Sequence, residues 1–97
     1  MVEKSRAAEA RMILGTLRSA EVAEMAENGG YAAVAGLGVG APDATCASTH
    51  FFSYACATAT GTCTATRCVG AGKPQAGSTA WTKSLTITGT WDGAAGY

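Results

Sequence analysis

Large aliphatic side chains are scarce in this chain of 97 residues, which has four Leu, two Ile and five Val against 21 Ala. The core they can build is small. A chain of this size buries only about 65% of the surface its unfolded form exposes, so a covalent staple matters. Charge is sparse as well, at 14% of residues with no net excess of either sign at pH 7, which leaves no electrostatic case for nucleic acid. No apolar run approaches the roughly 18 residues of a membrane-spanning helix. Histidine occurs once, as His50, and that thins the choice of metal ligands and general bases. The length holds one domain, residues 1–97, with no room for a second core.

What is present is divided in two. Residues 1–28 hold nine of the 14 charged side chains, whereas twelve of the 13 Thr and twelve of the 13 Gly lie beyond Asn28. Helix formers give way to strand and turn formers, which predicts an α+β fold with a long N-terminal amphipathic helix packed on a small antiparallel β-sheet. The helix is predicted over about residues 3–28. Ala10, Ile13, Leu14, Leu17 and Ala20 recur at three- and four-residue spacing as its buried stripe, with Glu9, Arg11 and Arg18 on other faces. Asn28-Gly29-Gly30 is its stop signal. Its first turns carry no large apolar residue. They read either as the overhang of a longer helix with Met1 added or as a naturally frayed terminus.

Residues 29–48 are predicted to be a loop, with Leu37 and Val39 as apolar plugs. The run Gly36-Leu37-Gly38-Val39-Gly40 lacks the preceding strand, following helix and Gly-Lys-Ser/Thr ending of a phosphate cradle. A hairpin follows over about residues 49–69. Its strands are separated by Thr58-Ala59-Thr60-Gly61, and a four-residue loop finished by Gly sets Cys56 opposite Cys63. Strict alternation from Ser84 to Trp91 predicts a C-terminal strand over about 84–91, with Leu85, Ile87, Gly89 and Trp91 on the core face.

Three chemistries compete for Cys46, Cys56, Cys63 and Cys68. Zinc favours close pairs, but the intervals here are ten, seven and five positions, with one distant His. A catalytic thiol needs a partner base, and no acid lies near His50 in sequence to orient it. Two disulfides in a small, Thr-rich domain fit an exported protein. Of the three connectivities that four cysteines allow, the hairpin register favours Cys56 with Cys63, which leaves Cys46 with Cys68, and the sequence alone does not decide among them.

The stretch from Lys4 to Glu21, closing in Ala26-Glu27-Asn28-Gly29-Gly30-Tyr31, resembles the second half of the N-terminal helix of type IV pilins and type II secretion pseudopilins. Leu37-Gly38, Pro42, Phe51-Phe52-Ser53-Tyr54 and Leu85-Thr86-Ile87-Thr88 follow the family's order more loosely. The resemblance implies a structural subunit and no enzyme or cofactor. It implies a homo-oligomeric fibre on the bacterial surface, held in the inner membrane before assembly through an apolar half-helix that this sequence does not contain. As it stands, the chain is expected to be monomeric. Glu3, Lys4, Arg6, Glu9, Arg11 and Arg18 are the charged helix residues expected to meet neighbouring subunits. The family's leader, cleavage site and C-terminal cysteine pair are not matched, so pilus subunit and secretion pseudopilin stay open.

An enzyme is disfavoured independently, because five of the seven carboxylates fall on the predicted helix, where they read as a solvated face. The rival reading is a secreted, disulfide-stapled glycan-binding module. Its candidate exposed aromatic is Trp81, while Trp91, in register with Ile87, is expected in the core.

Overall fold

The computed structural model describes residues 2–39, 51–68 and 82–93, with side chains from residue 8 onward. Helix α1 spans Val2–Asn28. Gly29 ends it in the left-handed conformation, with φ 72°, and its N–H bonds the carbonyl of Met25 at 2.9 Å. A short 3-10 turn, Val34–Gly36, follows, and Val34 is buried beneath it. Leu37 and Val39 pack against the same core.

Among the described residues, four strands form a meander in the order β1-β2-β3-β4, with every neighbouring pair antiparallel. They are β1 (Phe52–Cys56), β2 (Cys63–Arg67), β3 (Thr82–Leu85) and β4 (Trp91–Gly93). The β1–β2 loop is the expected four-residue turn: Gly61 takes φ 74°, and its N–H bonds the Ala57 carbonyl at 2.8 Å. Cys56 stands opposite Cys63, Tyr54 opposite Ala65 and Phe52 opposite Arg67. Alternation puts these six side chains on one sheet face. Ser53, Thr64, Thr66, Thr82 and Ser84 lie on the other with Ala55 and Asp92, and Thr64 and Ser84 share a hydrogen bond of 3.0 Å.

The core lies between that face and the stripe Ala10, Leu14 and Leu17 of α1, all fully buried, and it includes Phe52, Tyr54, Cys63, Ala65 and Leu85. Arg67 is also buried at the sheet's end. Its guanidinium donates to the Cys68 and Phe51 carbonyls and lies 5.5 Å from the Phe51 ring centre.

The C-terminal part departs from the expected single strand over 84–91. Residues 86–90 instead turn the chain back, so that β3 and β4 form a second hairpin with Leu85 opposite Trp91. Thr86 drives the reversal: its Oγ1 accepts the Thr90 N–H at 3.0 Å, and its carbonyl accepts the Gly89 N–H at 3.0 Å. Gly89 takes φ 94°, which an L side chain rarely adopts. Alternation on both flanks of this turn imitates one continuous strand. Trp91 is consequently 42% exposed on the three-residue edge strand β4, and the expected core position is corrected to a surface one.

Candidate functional site

The chemistry-bearing groups among the described residues gather where α1 faces the sheet, and three helix side chains make the polar connections. Glu9 accepts the Phe51 N–H at 3.0 Å and the Tyr54 hydroxyl at 2.7 Å. Burial foremost, then this hydrogen bond and the Glu9 charge, push the Tyr54 hydroxyl far above its ordinary titration range. Arg18 donates from Nε to the Ile87 carbonyl at 2.8 Å, and its guanidinium lies over Gly89. It holds the β3–β4 turn to the helix.

Glu21 is the third. The sequence places it on a solvated face, yet it is fully buried. It stands four residues beyond Leu17, so it continues the buried stripe by one turn. Its Oε1 accepts the Ala32 N–H at 2.8 Å, while Oε2 is buried with no hydrogen-bond partner among the described residues. The Cys56–Cys63 disulfide lies beside it, with Cα atoms 4.0 Å apart, and one Glu21 oxygen and both sulfurs fall within 4.8 Å of one another. Cys63 is fully buried and Cys56 partly exposed. Sequence spacing could not bring a helix carboxylate to this cysteine pair, but its position at Leu17 plus four was a usable signal.

The expected contact residues are distributed differently from one another. Arg11 is exposed, and Glu9 and Arg18 are part-buried and hydrogen-bonded within the chain. The side chains of Glu3, Lys4 and Arg6 lie outside the described residues, as do Cys46 and Trp81. Cys68 is disulfide-bonded.

Opposite the core, α1 presents Ala8, Met12, Thr16, Ser19, Ala23 and Ala26, all exposed and none charged. At about 100° per residue these positions form one outward strip about five turns long. Met12 is 69% exposed, and Val22, beside the strip, 48%. A solvated amphipathic helix normally carries its charge on that side. Here Arg11, Arg18, Glu24 and Glu27 flank the strip instead. No helix among the described residues is long and apolar enough to cross a membrane. No family model, curated protein or solved structure matches the chain.

Proposed function

We propose that this chain is the globular headgroup of a type IV pilus subunit, whose helix packs against the helices of neighbouring copies in a surface fibre. The observation that carries the reading is the neutral outward strip of α1, from Ala8 to Ala26, on a helix whose opposite side is already covered by the sheet. Small and uncharged side chains let helices approach closely without desolvating charge. The α+β arrangement and the resemblance of residues 4–31 support it. The flanking charges, Arg11 among them, set register by complementarity with the next subunit.

The test is assembly by the full-length gene product in its own host. Met12→Glu together with Ala23→Glu leaves the isolated domain's circular dichroism unchanged and abolishes fibres; fibres in normal number defeat the reading. The upstream codons provide a second check, since about twenty apolar residues must run in frame into Glu3.

One observation favours the glycan-binding alternative: Trp91 is exposed, with the Lys83 ammonium 5.7 Å from its ring centre. An indole face of this kind stacks on sugar rings. Quenching of Trp fluorescence by a glycan panel, lost in Trp91→Ala, would establish it, and a flat titration removes it.

A further inference from the structure

We propose that the Cys56–Cys63 pair and Glu21 form a latent binding site for a soft divalent cation such as zinc, closed by the disulfide and opened by its reduction. The disulfide and the metal are alternative occupants of one place in the fold. This goes beyond the fibre reading and does not depend on it.

The donor set is the first support. Two thiolates and a carboxylate are zinc ligands, and three protein ligands with an open fourth position make a recognised type of zinc site. The potential ligand atoms of Glu21, Cys56 and Cys63 already lie within 4.8 Å of one another, so small side-chain movements are enough to bring them round one ion. The two cysteines are paired across β1 and β2, and the helix that carries Glu21 packs on that same sheet face. All three ligands therefore stand on regular elements.

The unpaired oxygen is the second support, and it is independent of the cysteines. Glu21 Oε2 is buried and has no hydrogen-bond partner among the described residues. A buried carboxylate oxygen left without a partner is costly, and a cation held by this carboxylate and the two neighbouring sulfurs would offset that cost. The Ala32 N–H holds Oε1 at 2.8 Å and so fixes the carboxylate plane, as a hydrogen-bonded second shell does for metal ligands. Partial exposure of Cys56 gives a path for both reductant and ion.

The chemistry balances with a phosphine or dithiol as reductant. A phosphine supplies two electrons, takes the oxygen of one water to become its oxide and leaves that water's two protons for the sulfurs; a dithiol supplies two electrons with its own two protons and becomes a cyclic disulfide. The S–S bond breaks, and both sulfurs are protonated. Binding of the divalent ion then releases the two thiol protons to solvent, and the buried carboxylate supplies the third ligand.

Cobalt(II) is the probe, because its thiolate charge-transfer absorption reports sulfur ligation directly. The full chain is reduced with a phosphine, freed of excess reductant without oxygen, and titrated with cobalt(II) and then with zinc(II) in competition. The expected result is a charge-transfer band in the reduced chain that zinc bleaches, with no band in the oxidised chain. Second-shell partners alone are commonly worth about ten- to a hundredfold in affinity, so Glu21→Gln should weaken binding by at least about tenfold. Reduction also frees Cys68, and the double variant Cys56→Ser/Cys63→Ser isolates that contribution; it should give no band. A reduced chain that binds no cobalt overturns the proposal, whether or not it stays folded. So does a Glu21→Gln titration matching the wild type, or a band that survives in the double variant. If the reduced chain loses its helix signal and cobalt restores it in the wild type but not in Glu21→Gln, the proposal is upheld.

Discussion

Tyr54 donates its hydroxyl to the carboxylate of Glu9 at 2.7 Å, and this bond ties the first half of α1 to the centre of β1. Because the phenol is buried and faces a carboxylate, folding holds its proton more tightly than the unfolded chain does. The folded pKa is raised, so the stabilisation is complete below the unfolded tyrosine value near pH 10 and is lost as pH rises above it. Stability should therefore fall above about pH 10 by up to about 1.4 kcal/mol per pH unit from this group. Urea unfolding of Tyr54→Phe at pH 7 should show a loss of about 1.5 to 3 kcal/mol, the worth of a hydrogen bond to a charged group. The variant should also decline less steeply between pH 10 and pH 11; a parallel decline would place the alkaline sensitivity elsewhere.

Arg18 should behave as a structural clamp. Its Nε bonds the Ile87 carbonyl at 2.8 Å in a part-buried setting, for which about 1 kcal/mol is a fair discounted value. Arg18→Ala should speed amide exchange at Gly89 and Thr90 while leaving the amides of β1 and β2 protected. Reversal to Glu should do so more strongly. Uniform acceleration across the sheet would mean that the guanidinium serves the whole fold and not the last hairpin.

How far these features were legible depends on whether the signal was local. The stop at Asn28-Gly29 and the pairing of Cys56 with Cys63 were readable because each is set by a few adjacent residues: a left-handed glycine in one case, and a four-residue loop ending in Gly61 in the other. The reversal at Thr86–Thr90 was obscured because alternating residues on both sides keep a common phase through the turn. Gly89 was the available warning, since glycine inside a strand pattern often marks a break. Glu21 was read with the other helix carboxylates as part of a solvated face, yet it is buried, as is Arg67. Two of the partners that admit them, the Ala32 N–H and the Phe51 carbonyl, come from other segments, while the Cys68 carbonyl belongs to Arg67's own neighbour.

The Cys56–Cys63 bridge spans a sequence separation of seven, for which loop entropy gives about 2.5 kcal/mol. Cys56→Ser/Cys63→Ser should lower the stability obtained from urea unfolding by that order, with a slope no smaller than before, since the unbridged unfolded chain is free to expand. Reductant should cost more than the double variant does, because Cys68 is disulfide-bonded too. Identical midpoints with and without reductant would show that neither bridge restrains the unfolded chain.

Gly29 and Gly61 offer a controlled comparison of backbone strain with steric contact. They share almost the same φ, 72° and 74°. A Cβ on Gly29 would meet nothing within 4 Å, whereas one on Gly61 would lie 2.9 Å from two atoms of the Tyr31 ring. Gly29→Ala should thus cost only the left-handed penalty, about 1 kcal/mol. Gly61→Ala should cost that and a further 1 to 3 kcal/mol, about what overpacking a tight contact entails. The excess should shrink in a Tyr31→Ala background, where the ring is gone, while the Gly29→Ala cost stays fixed. A double-mutant cycle on urea midpoints measures the difference; equal costs at the two glycines would mean that the Tyr31 ring gives way freely and does not pin the β1–β2 loop to the segment that follows the helix.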